Sequence, residues 1–329
     1  MISKNKGRVS VIIPAYNAEK FLVRAVESAL LQGDCLCEII IVDNNSTDGT
    51  AALIRDLEER YSGLIIATGC DRQGPAAARN HGVEMAKGDW VQFLDADDYL
   101  YAGKVKRQLG LVNKNTQWVI GVSDVVKNSK VISTFVLEED HWRGLLFCRG
   151  LGDTNANLFR REALIRQGGY DPLPVGEDYH LYFKLLRSDN AYVKDEQQGS
   201  AYVQHDGFRG KGRGWEDRQK FRWHFVNEVV EYLIVNNVKY VSNNLPVLQT
   251  AKIAAIRMYM TADFQGGMAL YFGNFPNETI WAKMSAGNLP FYWPIYQVIG
   301  FTETERIRLA LVRMIPNIIR RYARNFLRL

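Results

Sequence analysis

Trp90-Val91-Gln92-Phe93-Leu94-Asp95-Ala96-Asp97-Asp98 is the stretch that decides how this chain is read. Trp90 to Asp95 has the apolar, aromatic-rich composition of a buried strand, and an acidic tetrapeptide closes it. A parallel strand presents its ligand-binding groups at its C-terminal end. Two carboxylates one residue apart at that end suit a hard divalent cation, which keeps some waters and bridges to a substrate's phosphates. Taken alone, the tetrapeptide reads equally well as an acidic turn.

The segments before it settle the architecture. Val9 to Ala15 is a β-branched apolar run closed after Pro14, which predicts a central strand. Ala18 to Gln32 carries Phe21, Leu22, Ala25, Val26, Ala29 and Leu30 at helical spacing, with Gly33 as its stop. Glu38 to Val42 predicts a second strand, and Thr47 or Asp48 caps a helix running to about Arg60. Leu64 to Thr68 predicts a third strand. Pro75 then opens a helix that ends near Lys87-Gly88. Strands alternating with helices give βαβ units and a mostly parallel sheet. No dinucleotide glycine pattern or Walker loop follows the first strand, which argues against dehydrogenases and kinases.

Beyond position 100 the pattern loosens. Trp118 to Val126 and Val131 to Leu137 read as paired strands around Asn128-Ser129, so the sheet turns mixed. Arg161 to Gln167 and Glu177 to Arg187 read as helices, and Ala201 to Gln204 as a short strand. Asp206 to Gly214 has the composition of a cationic glycine loop. From Trp215 the chain reads as helical, with Phe221, Phe225, Val229 and Leu233 on one face. This predicts two domains, residues 1–214 and a helical C-terminal extension over 215–329.

Bulk composition narrows the classes. No apolar run reaches the roughly 18 residues of a spanning helix; Leu289 to Phe301 is short and holds Pro290 and Pro294. Met1 to Arg8 lacks a leader pattern, and Cys35, Cys37, Cys70 and Cys148 lack zinc or disulfide spacing. A cytoplasmic protein with free thiols is therefore expected. Glu305 to Leu329 carries seven arginines and one acid beside apolar Ile307, Leu311, Ile315, Ile318, Ile319 and Leu327. Such a helix either lies against an anionic membrane face or packs on its own domain, and Pro316 interrupts it. Basic residues without an RNA-binding motif predict no nucleic-acid partner.

Polar strand ends converge on one sheet edge: Pro14-Ala15-Tyr16-Asn17, Asp43 to Thr50, Arg72 to Asn80, and the acidic tetrapeptide. In order and spacing these closely resemble the family 2 inverting glycosyltransferases of the GT-A fold, in their bacterial, non-processive form. The matching motifs are Val9 to Asn17, Val42 to Thr50, Gly74 to Asn80, Asp95-Ala96-Asp97, and Asn157 to Glu162 leading through Gly168 to Asp171 into Gly176-Glu177-Asp178-Tyr179. The resemblance covers about residues 8 to 210.

It implies an α/β GT-A fold, a nucleotide-sugar donor (a UDP-sugar), Mg2+ or Mn2+, and a glycan or lipid-linked acceptor in polysaccharide or cell-envelope biosynthesis. It places Pro14, Ala15, Tyr16, Asn17, Asp43, Asn45, Gly74, Arg79, Asp95 and Ala96 at the donor, with Ala15 and Tyr16 against the uracil and Asp43 on its N3. Asp97 ligates the metal, Asp95 reaches it through water, and His205 is a further ligand. Asp98 supports the pair from behind or caps the turn. Asp178 is the general base and Glu177 positions the acceptor. Arg209, Lys211 and Arg213 close over the diphosphate, and Gln219, Arg222 and Trp223 match the Gln-x-x-Arg-Trp pattern in which the tryptophan stacks on an acceptor sugar. One departure stands out: Asn44-Asn45 replaces the usual Asp-Gly. Asn45 tolerates the positive φ of that turn, whereas Asn44 removes a charge near the base pocket and leaves the choice of nucleotide open. A non-catalytic nucleotide-sugar or glycan-binding protein is the alternative, favoured by loss of Asp97 or Asp178, and both are present. A nucleotidyltransferase needs a glycine-rich loop where Pro14 to Asn17 stands.

Overall fold

β1 (Val9–Ala15) runs through the interior of the sheet, paired in parallel on one side with β2 (Leu36–Asp43) and on the other with β4 (Trp90–Phe93). β2 pairs in parallel with β3 (Ile65–Gly69). Helices cover both faces. Val11, Ile13 and Ala15 pack with Leu22, Ala25, Val26 and Ala29 of α1 (Leu22–Leu30) and with Ile54 and Leu57 of α2 (Thr50–Arg60). Ile12 points the other way, towards α3 (Pro75–Met85), whose Pro75 stands in the first turn. Each fully buried aliphatic side chain of β1 is worth about 1.5–3 kcal/mol of transfer free energy.

The computed structural model describes residues 7–188, 191–205 and 215–274. The chain divides into two compact units, Met1–Arg213 and Gly214–Leu329.

In the first unit the chain continues through β5 (Tyr99–Leu100), α4 (Lys104–Leu111), β6 (Thr116–Lys127), β7 (Lys130–Thr134), α5 (His141–Phe147), β8 (Leu158–Arg160), α6 (Arg161–Arg166), α7 (Glu177–Arg187) and β9 (Ala191–Gln204). The sheet order is β3-β2-β1-β4-β8-β6-β9-β5, with β7 hairpinned onto β6. β8 is antiparallel to both neighbours, whereas β6 and β9 form a long parallel ladder. Asn128 and Ser129, both at positive φ, make the two-residue turn of the β6–β7 hairpin.

Several boundaries differ from the sequence expectation. The first helix begins at Leu22 rather than Ala18, because the Ala18 amide donates to Thr50 Oγ1 (2.8 Å) and the Ala18 carbonyl closes a turn with Phe21. A 3-10 turn over Gly33–Cys35 follows it. The fourth strand stops at Phe93, since Asp98 N–H donates to Asp95 O (3.0 Å) and bends the chain. β9 is 14 residues long, not four, because β6 pairs with it on both sides of a register shift between Lys194 and Gln198. β5, α4, α5 and β8 are additional elements.

The second unit holds α8 (Trp215–Asn236), α9 (Val238–Ala262) and α10 (Phe264–Asn274). Phe225, Val229 and Leu233 of the expected face are buried, and Phe221 stacks on Phe225 (5.4 Å). α9 kinks where Asn244 leaves helical geometry ahead of Pro246. Among the described residues no helix is long and apolar enough to cross a membrane. The basic segment Glu305 to Leu329 lies outside them.

The close approach of α3 to β1 depends on Gly82, where a Cβ would stand 2.3 Å from Ile12 Cγ2. Gly82→Ala is expected to lower stability by about 1–3 kcal/mol through overpacking, read as a lower urea midpoint at unchanged slope.

Candidate active site

The Asp95–Asp98 turn is held from beneath by Asn155, which is 1% exposed. Asn155 Oδ1 accepts from the Asp95 amide (2.7 Å) and its Nδ2 donates to Asp98 Oδ2 (2.6 Å). Asp98 Oδ1 accepts from Val203 N–H of β9 (2.7 Å). Asp98 thus supports the turn from behind and ties it to the strand that ends beside His205. Burial, with Asp95 and Asp97 nearby, pushes the Asp98 carboxyl up to about 8. On the outer side, Arg24 Nη2 donates to the Asp97 carbonyl (2.5 Å) and the same guanidinium lies over the Tyr99 ring.

His205 Nε2 lies 3.4 Å from Asp97 Oδ2, is buried, and makes no hydrogen bond. Its ring packs on Phe21 at 4.4 Å. An orphaned imidazole nitrogen converging with a carboxylate oxygen fits a divalent cation. Among the described residues no cluster of three or more such groups occurs. A cation held between these two groups would take its remaining positions from water and phosphate oxygens. Asp95 also lines the cleft and has one oxygen, Oδ1, in an ion pair.

Its partner is Arg79, on the buried face of α3 at 4% exposure. Arg79 Nη2 donates to Asp95 Oδ1 (2.8 Å), while Nη1 reaches Glu177 Oε1 (3.3 Å) and lies 3.8 Å from Asp178 Oδ1. Tyr170 covers the guanidinium at 5.2 Å. Burial by itself would depress this group, but Asp95, Asp178 and Glu177 outweigh it and hold its pKa well above the usual value. The next residue, Asn80, grips the chain that leads to α7: its Oδ1 accepts from Tyr170 N–H and its Nδ2 donates to Tyr170 O, both at 2.8 Å. Gly169 permits this approach, since a Cβ there would meet Asn80 Oδ1 at 2.3 Å.

Glu177 and Asp178 occupy the first turn of α7, after Gly176 in the left-handed region. Thr154 Oγ1 donates to Asp178 Oδ1 (2.8 Å). Burial pushes the Asp178 carboxyl up to about 7; Arg79 opposes the rise and Glu177 adds to it. A carboxylate poised near neutrality suits proton abstraction at physiological pH.

A cleft of about 420 Å³ lies along the strand ends and is lined by Pro14, Ala15, Tyr16, Asn17, Gly74, Arg79, Asp95, Ala96, Asp97 and His205, all singled out from the sequence. Ala18, Phe21, Asn44, Gln73 and Pro75 complete the wall. Asp43, half-buried, and Asn45, exposed, are not part of that lining. Asp43 Oδ1 accepts from Ser46 N–H (3.2 Å), and Asn45 adopts φ 65° and donates to Asp71 O (3.0 Å). Asn17 Oδ1 accepts from Thr47 N–H (2.8 Å), fastening the first loop to the second.

Asn44 has a role that composition does not reveal. It is 3% exposed; its Nδ2 donates to Cys70 O (2.9 Å) and Arg72 O (2.8 Å), and its Oδ1 accepts from Gly74 N–H (2.7 Å). The amide fastens the loop between β3 and α3, and its polarity is fixed by these partners: two carbonyls that only accept and one amide that only donates. Of the remaining expected residues, Arg209, Lys211 and Arg213 lie outside the described residues. Trp223 is 6% exposed, with Lys252 Nζ over its ring, and Arg222 Nη1 donates to Met258 Sδ (3.1 Å). Trp223 is thus part of the α8 packing rather than an open stacking face, because the amphipathic period of α8 turns it inward.

A mixed sheet carrying an Asp-x-Asp turn and a helix-borne Glu-Asp pair defines a GT-A-type glycosyltransferase architecture. The profile described as Glycosyl transferase family 2 matches residues 10–166. The chain is 30% identical over 184 residues to UDP-Glc:alpha-D-GlcNAc-diphosphoundecaprenol beta-1,3-glucosyltransferase WfgD of Escherichia coli, covering 55% of this chain and 71% of that protein. It is 37% identical over 111 residues to an uncharacterized glycosyltransferase of Haemophilus influenzae, covering 34% of this chain but only 44% of that protein's length. Among solved structures, S. aureus TarS 1-349 in complex with UDP-GlcNAc is similar at TM-score 0.58 and 17% identity, covering 91% of this chain and 90% of that one. The mannosyltransferase PcManGT of Pyrobaculum calidifontis, in complex with GDP-Man and Mn2+, is similar at TM-score 0.53 and 20% identity, covering 94% and 87%. The chain belongs to glycosyl transferase family 2.

Asn44→Asp would set a carboxylate against two carbonyl oxygens. The expected cost is about 1–3 kcal/mol for the broken contacts, with weaker nucleotide binding by calorimetry as the loop loosens.

Proposed function

We propose that this chain transfers a hexose from a UDP-sugar to a hydroxyl of a glycan or lipid-linked acceptor with inversion at the anomeric carbon, Asp178 acting as general base. The observation that carries the reading is the span of Arg79, a cleft-lining residue whose guanidinium pairs with Asp95 of the Asp-x-Asp turn and also faces Asp178, the carboxyl pushed up to about 7. Inversion needs a single base opposite the leaving group, and the raised carboxyl of Asp178 at the start of α7 supports giving it that role. UDP is favoured by the E. coli relative, whose name specifies UDP-Glc, and by TarS, seen with UDP-GlcNAc. Both that relative's diphosphoundecaprenol acceptor and the basic segment at Glu305 to Leu329 favour work at the inner membrane face.

Asp97 and His205 would hold Mg2+ or Mn2+, which neutralises charge on the departing diphosphate when bound. The chain's own groups do the rest. The wall from Pro14 to Asn17 receives the nucleoside, with Tyr16 exposed for stacking. Asp43 has Oδ1 taken by Ser46 and offers Oδ2 to the base. Arg79 keeps Asp95, Glu177 and Asp178 from repelling one another, and Asp178 takes the proton of the attacking hydroxyl.

Asp178→Asn is expected to keep UDP binding while turnover falls by about 10²–10⁴-fold. Asp97→Ala, or EDTA on the wild type, is expected to abolish UDP binding by calorimetry, and Mn2+ should restore it only in the wild type. Because the base works deprotonated, the rate should rise with pH through about 7 and level off above it. A flat profile from pH 5 to 8, or an active Asp178→Asn, would rule Asp178 out.

A further inference from the structure

Asp178 takes both of its close polar contacts on one oxygen. Thr154 Oγ1 donates to Oδ1 at 2.8 Å, and Arg79 Nη1 faces the same Oδ1 at 3.8 Å. The other groups around the carboxylate are Glu177 on its own helix, Asp95 across the cleft, and the rings of Tyr170 and Tyr182. The hydroxyls of both tyrosines are buried and have no hydrogen-bond partner, so neither serves Asp178. Thr154 is therefore the hydroxyl that does.

Thr154 is itself fixed. It is 3% exposed, and its β-branch restricts χ1. On one side, Asp153 Oδ1 accepts from Ser123 Oγ (2.9 Å) and Ala156 N–H (2.8 Å). On the other, Asn155 grips the Asp95–Asp98 turn. Two adjacent residues thus hold the two halves of the site, one the base and one the metal-facing turn.

We propose that Thr154 is a positioning residue for the base, orienting the Asp178 carboxylate so that Oδ2 is the oxygen that takes the acceptor's proton. This rests on the reading of Asp178 above. The acceptor O–H proton passes to Oδ2 as the acceptor oxygen bonds to the anomeric carbon. The bond from that carbon to the diphosphate oxygen breaks, and its electron pair leaves with the diphosphate.

The test is the titration of the Asp178 carboxyl carbon by 13C NMR in the full chain, assigned with Asp178→Asn and needing no acceptor. Thr154→Val removes a donor that stabilises the charged form, so the carboxyl should titrate about one unit or more higher. Thr154→Ser should restore the wild-type value. UDP binding with Mn2+ should be unchanged in both, and donor hydrolysis by Thr154→Val should have its acid limb moved up by the same shift. Should valine prevent folding, Thr154→Ala carries the same titration. An unshifted titration in the hydroxyl-less variant, or a serine variant that behaves like valine, overturns the proposal. If the carboxyl shifts as expected but Asp178→Asn still turns over donor, the base assignment fails, and with it the catalytic meaning of the contact.

Discussion

One buried guanidinium sets the terms for the rest of this unit. Three carboxylates from two distant parts of the chain meet at Arg79, and no second cation shares that place in the ion pairs of the described residues. Without it, Asp95, Glu177 and Asp178 would repel one another in a poorly solvated recess. Removing one partner of a buried ion cluster is costly because it strands the others. The fold therefore commits α3 to this residue: Gly82 brings the helix down on β1, and Asn80 fastens the approach to α7. The motif Ala78-Arg79-Asn80 works as a short structural bracket, with Arg79 serving charge and Asn80 serving backbone.

Beneath the cleft lies a polar layer that a hydrophobic-core picture would not include. Lys104 is fully buried, its amine bonded to Gln92 Oε1 and to Asn157 O, and burial pulls its pKa well below the usual lysine value. Gln92 also donates to Asn155 O (2.8 Å), and Gln108 to Ala156 O (2.9 Å). Asn157 accepts from Gly121 N–H (3.0 Å). These side chains satisfy the backbone of the irregular segment 151–157, which passes beneath the site and has no ladder of its own. Hydrogen-bonded polar networks of this kind rigidify what rests on them; the acidic turn rests on this one, in which Gln108 Oε1 is the buried atom left without a partner.

The same layer explains what the sequence conceals. β1, α3 and α7 are legible because apolar period, Pro75 and an acidic helix start coincide with the observed ends. α4 is not, since its inward positions include Lys104 and Gln108, which read as a solvated face. The first ten residues of β9 escape notice because Lys194, Asp195 and Glu196 break any alternation of apolar residues; pairing with β6 up to Lys194 and again from Gln198 makes the segment a strand. At the site, residues bearing charge at strand ends stood out and Asn44 showed only as a departure from the family pattern, whereas Thr154 and Asn155 gave no signal. A neutral polar side chain gains meaning from the carbonyls and amides it meets, and those come from elsewhere in the chain. Trp223 shows the converse case, in which a motif match on an amphipathic helix turned out to sit in the interior.

The bond from Val203 N–H to Asp98 also sets a limit on how this chain can vary in length. Side chains of a strand alternate between faces, so shifting β9 by one residue beyond Val203 would carry the imidazole of His205 to the far side of the sheet from Asp97. Loops such as 128–129 or 171–176 can lengthen without that consequence. The stretch from Val203 to His205 cannot: it acts as a ruler whose zero is pinned at Asp98, and a single codon inserted there would separate His205 from Asp97 while leaving every residue of the site in the sequence.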